Sequence, residues 1–240
     1  MWLRDAFPSE QPKARVMIYN YNSSVVFHAS VAGVYECAIK LLGVLAMERK
    51  DNPKRPLIFI CHSLGGIVVK EAIVEASLNA NLKYQQIRDA TYGLVFFATP
   101  HHGSDYANLG GVAATIARAV LRTPKNPLLD SLKRDSLFSE TQRKNFRHRL
   151  EDFKIISFYE TLPMLKMEKP IVDKKSAVLG LASQREEAFP IDTNHVDICK
   201  FTGPGDPNYK FVANQISALC QEAKKDVAEK NADEKRKWAM

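Results

Sequence analysis

Short apolar segments alternate with longer amphipathic ones along this 240-residue chain, and that alternation constrains the fold most strongly. Residues 56–61 and 92–98 are apolar at almost every position, as strands covered by helices on both faces are. Residues 14–19 and 154–159 are two further strand candidates. Parallel strands need long crossovers, which the intervening stretches can supply. The sequence therefore predicts an α/β fold with a mainly parallel sheet and helices on both faces.

Three stretches predict the covering helices. Residues 31–49 place apolar side chains at helical spacing on one face, and residues 65–79 are apolar through their early turns. A final helix from Pro207 carries one apolar stripe, formed by Tyr209, Val212, Ile216, Leu219, Ala223 and Val227. The length suits one domain. We assign it to residues 1–228, with a lid-like insertion at about 105–152 and a charged tail at 229–240.

Most of the positive charge is concentrated in the predicted lid. The chain has 34 Lys+Arg and 27 Asp+Glu, a net charge of +7, and residues 118–154 contribute +5 of it. A basic lid beside an apolar helix could make peripheral contact with an anionic membrane. The alternative is an ordinary solvated helix face, which most charge runs form. The sequence lacks a helix-turn-helix pattern, zinc spacing and an aromatic-interleaved motif, so we expect no nucleic-acid partner.

Other features bound the compartment and the cofactors. The four cysteines lie far apart without a CxxC spacing, which predicts reduced thiols in an intracellular protein. No apolar stretch is long enough to span a membrane, and the N-terminal residues lack a secretory apolar core. We therefore expect a cytoplasmic location by default. Without an HExxH motif or a Gly-rich phosphate loop, the sequence predicts no cofactor and no metal.

The junction between the second predicted strand and its helix has the pattern of a nucleophile elbow. The sequence CHSLGG at residues 61–66 is close to G-x-S-x-G, with Cys61 at the first Gly position. Such a turn raises the Ser63 hydroxyl above the sheet edge and needs small residues two positions before and after it. The Leu64 NH, at the start of the helix, could donate to a developing oxyanion. The alternative is that Ser63 only caps the helix.

A nucleophilic serine needs a general base, and His195 has the expected position among six histidines. It lies in a loop after the last β-like segment and ahead of the final helix. His62 lies beside the serine in the elbow, and we expect its side chain to point elsewhere. His101 and His102 are neighbours on an extended segment, so both cannot serve one site.

Two carboxylates are candidates for the acid that orients the base. Glu160 directly follows the strand predicted at 154–159, at the carboxyl edge where parallel sheets keep their active sites. Asp173 could instead lie at the next strand or loop. Either could be a plain surface carboxylate. We prefer Glu160, because its placement depends on one predicted strand and not on two.

Several segments, in order along nearly the whole chain, resemble the lipase-like serine esterase family related to the serine active site-containing protein. They include WLRD at residues 2–5, HSLGG at 62–66, FFATPHHGS at 96–104, FYET at 158–161, IVDKKSA at 171–177 and NHVDICK at 194–200. The resemblance implies an α/β-hydrolase fold, a triad of Ser63, Glu160 and His195, and an oxyanion donor at Leu64. It also implies ester hydrolysis linked to lipid metabolism, and association with mitochondria or the endoplasmic reticulum.

The start of the chain departs from that family's pattern. The family has a strand and a Gly-rich loop ahead of the segment that opens this chain, and the loop supplies the second oxyanion donor. The resemblance therefore implies an N-terminally truncated α/β-hydrolase fold. Two functions remain open: a serine esterase acting on an ester or lipid substrate, and a catalytically weak binding or signalling module of the same fold.

Overall fold

Among the described residues, four parallel strands form one sheet, in the order in which they occur along the chain. The computed structural model describes residues 1–21, 31–101, 146, 152–164 and 167–238. The strands are β1 (Leu57–His62), β2 (Thr91–Phe97), β3 (Lys154–Glu160) and β4 (Glu186–Ile191). The helices are α1 (Trp2–Asp5), α2 (Phe7–Glu10), α3 (Val31–Glu48), α4 (Leu64–Leu78), α5 (Leu82–Ala90), α6 (Lys174–Ala177) and α7 (Pro207–Trp238). The predicted α/β fold is confirmed.

The strands give alternate side chains to two cores on opposite faces of the sheet. In β2, Leu94 and Phe96 enter a first core with α3, α4 and α5. Val95 and Phe97 enter a second core with α7 and the N-terminal helices. Because both faces are covered, β2 is apolar at successive positions. Helix α7 lies directly on this strand, since a Cβ atom on Gly93 would be 2.7 Å from Leu219 Cδ2.

The prediction of a strand at residues 14–19 is wrong. Within the described residues this segment pairs with no strand, although Met17 and Tyr19 face the first core and Ile18 is exposed, as in an extended chain. Its polar groups bond to α3 instead. The Arg15 guanidinium pairs with Glu48, and the Tyr19 hydroxyl donates to the carbonyl oxygen of residue 37 at 2.9 Å. The alternating burial of residues 17–19 therefore comes from side-chain contacts with the first core and α3, and not from pairing with a neighbouring strand.

Where the sequence predicted bounds for the other strands and helices, the observed elements begin and end within about one residue of them. Helix α7 runs through Trp238, so the charged tail predicted from residue 229 is the last part of that helix. The predicted lid at 105–152 lies outside the described residues except for Phe146 and Asp152. Phe146 is buried in the first core, and Lys70 Nζ lies 5.8 Å from the centre of its ring.

The four cysteines are free thiols. Cys37 and Cys61 are buried in the first core, and burial raises the pKa of the Cys61 thiol to about 12. In the part of the chain that is described, no helix has both the length and the apolar character to cross a membrane. The same part contains no cluster of His, Cys, Asp or Glu that could hold a metal ion.

Candidate active site

Ser63 occupies the turn between β1 and α4 in an unusual backbone conformation. Its φ is 53° and its ψ is −126°, a region that residues other than glycine rarely adopt. The Ser63 NH donates to the Phe97 carbonyl oxygen at 2.9 Å, which holds the turn against the end of β2. The start of α4 also packs tightly against the loop after β2, because a Cβ atom on Gly66 would overlap the Thr99 side chain. Ser63 is thus held at the carboxyl edge of the sheet.

Three residues from distant parts of the chain are joined at this edge by two hydrogen bonds. Ser63 Oγ lies 2.9 Å from His195 Nε2, and His195 Nδ1 lies 2.8 Å from Glu160 Oε1. An ionised carboxylate only accepts, so His195 Nδ1 carries the proton and Nε2 accepts from the Ser63 hydroxyl. The exposed fractions are 6% for Ser63, 2% for Glu160 and 0% for His195. Bulk water is therefore excluded from both bonds.

Glu160, the last residue of β3, is bonded on one of its two oxygens. Oε1 accepts from the Val172 NH at 2.8 Å as well as from His195. Oε2 is buried, and no described residue lies within hydrogen-bond distance of it. Asp173, the alternative acid, is exposed and accepts from the Ser176 NH at 2.8 Å, which caps α6. The structure brings Glu160 to His195, and it gives Asp173 a capping position.

Leu64 is the first residue of α4. The first NH groups of a helix have no partner within the helix and carry the positive end of its dipole. The Leu64 NH therefore lies directly beside Ser63 with the polarity that an oxyanion needs. The Tyr21 hydroxyl approaches the same turn, 3.4 Å from where a Cβ atom on Gly65 would lie. Burial raises the pKa of Tyr21 to about 12, so this hydroxyl keeps its proton at neutral pH.

His62 bonds to the main chain of His195, a contact that the sequence did not predict. Its Nε2 lies 2.9 Å from the main-chain oxygen of His195, and the two ring centres are 5.1 Å apart. His62 ends β1 at the edge that His195 must reach, and that shared edge was the available signal. His101 is buried elsewhere, with its Nδ1 at 3.3 Å from Lys70 Nζ. The remaining histidines, His28, His102 and His148, lie outside the described residues.

Comparison with known proteins gives one family and a set of relatives. A family model described as "Putative serine esterase (DUF676)" matches residues 3–128. Protein SERAC1 of Homo sapiens is 32% identical over 153 residues, which cover 61% of this chain and 21% of that protein. Protein SERAC1 of Danio rerio is 31% identical over 212 residues, which cover 83% of this chain and 30% of that protein.

The alignments therefore take in less than a third of the length of these curated relatives. The family match covers more than half of this chain, including the β1–α4 turn that holds Ser63. The relatives extend the similarity over most of the chain. Together with the parallel sheet covered on both faces, these matches show that the chain belongs to the DUF676 serine esterase family, within the α/β-hydrolase fold.

Proposed function

We propose that this chain is a serine hydrolase that cleaves carboxylic esters with Ser63 as nucleophile, His195 as base and Glu160 as the orienting acid. The single observation that carries the proposal is the unbroken hydrogen-bonded path from Ser63 Oγ through the His195 ring to Glu160 Oε1. Membership of a serine esterase family supports a serine hydrolase activity independently of that geometry.

The proposed reaction has two halves with the same proton carrier. Ser63 Oγ attacks the ester carbonyl carbon while His195 Nε2 takes the hydroxyl proton, and Glu160 stabilises the imidazolium. The Leu64 NH donates to the oxyanion. His195 then gives its proton to the leaving alkoxide, so the alcohol departs and the acyl group stays on Oγ. In the second half a water loses a proton to His195, attacks the acyl carbon and releases the acid, which restores Ser63.

A lipid ester is the proposed natural substrate, in line with the chain's resemblance to lipase-like esterases. Contact of a basic segment with an anionic membrane would bring the site close to such a substrate. That segment, 118–154, lies almost wholly outside the described residues, so the membrane contact stays a prediction. Cytoplasmic, mitochondrial and endoplasmic-reticulum locations stay predictions as well.

Labelling with a fluorophosphonate tests the proposed nucleophile. The purified chain is expected to react at one site, and Ser63→Ala is expected to abolish labelling and lower kcat for a p-nitrophenyl ester by on the order of 10⁶-fold. Circular dichroism would establish that both proteins are folded. A folded wild-type chain that neither labels nor turns over the ester would overturn the proposal and favour a binding module.

Two matched amide substitutions test the proposed acid. Glu160→Gln leaves the shape of the site intact and can keep a carbonyl oxygen in the place of Oε1, but it removes the negative charge that stabilises the His195 imidazolium, and we expect kcat to fall by on the order of 10³-fold. Asp173→Asn changes the same group on the other candidate, and asparagine caps a helix about as well as aspartate. We expect its kcat to stay near the wild-type value. A collapse of kcat in Asp173→Asn alone would show that the acid is misassigned.

A further inference from the structure

His62 lies at the point where the strand of the nucleophile meets the loop of the base. It is the last residue of β1 and directly precedes Ser63. Its Nε2 is 2.9 Å from the His195 carbonyl oxygen, and its ring is tilted by 40° against the His195 ring at a centre distance of 5.1 Å. His62 therefore contacts the main chain of the base and takes no part in the bonds between Ser63, His195 and Glu160.

The chemistry of the contact assigns the direction of the bond. A carbonyl oxygen only accepts, so His62 Nε2 must carry a proton and donate it. Burial, reinforced by the charge of a protonated His195, lowers the pKa of His62 to about 4. The ring is therefore neutral at physiological pH and keeps its proton on Nε2. A neutral donor can hold the His195 main chain without adding a positive charge beside the base.

Hydrogen bonds among the described residues tie the His195 loop to the ends of β3 and β1. Asn194 organises the loop locally, with its Oδ1 accepting from the NH groups of Val196 and Asp197. On the β3 side, the Leu162 NH donates to the Thr193 carbonyl oxygen at 3.1 Å. On the β1 side, the bond from His62 fastens residue 195 itself. The bonds from Leu162 and His62 hold the carbonyl groups of residues 193 and 195 from opposite sides, and the Thr161 hydroxyl also donates to Asp192 Oδ1 at 2.9 Å.

We infer that His62 is a positioning residue, which holds the main chain of His195 so that its Nε2 stays within hydrogen-bond distance of Ser63 Oγ. The inference rests on the proposed function. Since Ser63 follows His62 in the chain, the two contacts close a ring: Ser63 Oγ to the His195 side chain, the His195 carbonyl oxygen to the His62 side chain, and the backbone back to Ser63. Two consecutive residues therefore bond to His195: His62 to its main-chain oxygen and Ser63 to its ring.

Two amide variants separate positioning from simple filling of space. The side-chain nitrogen of glutamine reaches about as far as Nε2 of histidine, whereas that of asparagine reaches only about as far as Nδ1. His62→Gln is therefore expected to keep kcat close to the wild-type value. His62→Asn is expected to lower kcat by on the order of 100-fold with KM unchanged, because a misplaced base loses its attack geometry. Melting temperatures of both variants would be measured alongside.

A purely structural role makes a different prediction, namely that kcat follows the melting temperature and not the reach of the amide. Equal kcat values in His62→Gln and His62→Asn would overturn the inference, as would a change confined to KM. Recovery of kcat in His62→Gln at a melting temperature no higher than that of His62→Asn would support it.

A proton NMR measurement makes the inference testable without turnover. The His195 Nδ1 proton that is bonded to Glu160 is shielded from water, so we expect a resolved downfield signal in the wild-type chain and in His62→Gln. In His62→Asn the signal should broaden through faster exchange with water, and an unchanged signal would overturn the inference. If the wild-type chain fails to hydrolyse esters or to label while this pattern still appears, the proposed function fails and the positioning of His195 stands.

Discussion

Ser63 and Ala98 are non-glycine residues with positive φ, at 53° and 43°. They follow His62 and Phe97, which are register partners, so two strained residues lie side by side where β1 and β2 end. Each is held by a bond to the next strand: the Ser63 NH to the Phe97 oxygen, and the Ala98 NH to the Phe158 oxygen at 2.8 Å. Conformations of this kind cost about 1–3 kcal/mol each. These hydrogen bonds therefore offset the cost of two strained backbone conformations at the edge that carries the candidate site.

A third residue that lowers stability is Glu71, which is buried in α4. No described group lies within hydrogen-bond distance of its Oε1. Burial, and then the charge of Glu75 one turn along, raise its pKa from an ordinary value near 4.5 to about 7. Between these pH values the folded chain keeps a proton that the unfolded chain has released. The contribution of Glu71 to the free energy of unfolding therefore falls as pH rises from about 4.5 through 7.

Glu71→Gln is expected to remove this pH dependence. The gain in the free energy of unfolding over wild type should be near zero at pH 4 and reach about 3 kcal/mol at pH 8, at about 1.4 kcal/mol per pH unit. Urea unfolding at the two pH values measures it. Glu36→Gln makes the same substitution at an exposed position on α3 and is the matched control. Its free energy of unfolding should follow that of the wild type at both pH values. A Glu71→Gln gain that is the same at pH 4 and pH 8 would contradict the assignment.

At the scale of elements, the contact between α4 and the loop after β2 has almost no free space. Gly66→Ala would drive a methyl group into the Thr99 side chain, which is branched at Cβ and fully buried. We expect a loss of about 1–3 kcal/mol in the free energy of unfolding, because inserted methyl groups in packed regions force the backbone to shift. Chemical denaturation of the folded chain is the measurement.

Gly43 offers the control for that variant within helix α3. Apart from the neighbouring residues and the backbone of its own helix, no atom of the described residues lies within 4 Å of the position of its missing Cβ. Gly43→Ala should therefore raise the free energy of unfolding by about 0.5–1 kcal/mol, since alanine loses less backbone entropy in a helix than glycine does. If Gly66→Ala proved as stable as Gly43→Ala, the close approach of α4 to the Thr99 loop would be wrong.

The sequence could predict the elements whose buried residues are apolar. β1 and β2 are apolar at almost every position, and their bounds follow directly. β4 was anticipated only as a β-like segment without bounds, because it begins with Glu186 and Glu187. Glu186 is nevertheless buried, since its carboxylate accepts from the Leu179 NH, the Leu181 NH and the Ser157 hydroxyl. Hydrogen bonding of that kind has no signature in a hydrophobic pattern.

Helix α5 escaped prediction for a related reason. Its sequence, LKYQQIRDA, is mostly polar, and its start is fixed by Asn81, whose side chain accepts from the Lys83 NH. The candidate site was easier to find, because Ser63, Glu160 and His195 each follow a strand or a turn with a recognisable pattern. The shared sheet edge indicated only that His62 and His195 would lie near each other, and the bond from His62 to the His195 carbonyl oxygen depends in addition on the conformation of a loop 133 residues further along the chain.

At the scale of the whole molecule, the sheet couples its two cores. Successive apolar side chains of β1 and β2 belong alternately to the first and the second core, so neither core can lose its strand contacts alone. Trp2 reports the second core, where its indole NH donates to the residue 199 carbonyl at 3.1 Å. Cys37 and Cys61 report the first core. The alternation predicts that both cores are lost in one cooperative transition.

The prediction can be tested on a Trp238→Phe, Cys199→Ser, Cys220→Ser variant, which keeps one tryptophan and only the two first-core thiols. Trp2 fluorescence and pulsed thiol labelling should give the same midpoint in urea. Thiol labelling at a clearly lower urea concentration than the fluorescence change would mean that the first core opens independently.

The order of the site residues along the chain has a consequence for synthesis. A ribosome makes Ser63 long before His195, which lies 132 residues later. The helix that closes the second core over β2 follows later still, from Pro207 onward. From the synthesis of Ser63 until His195 has been made, a nascent chain therefore carries its serine turn without the proposed base. Nascent chains that stop short of residue 195 should be chemically silent towards esters inside the cell, whatever part of the sheet they have already formed.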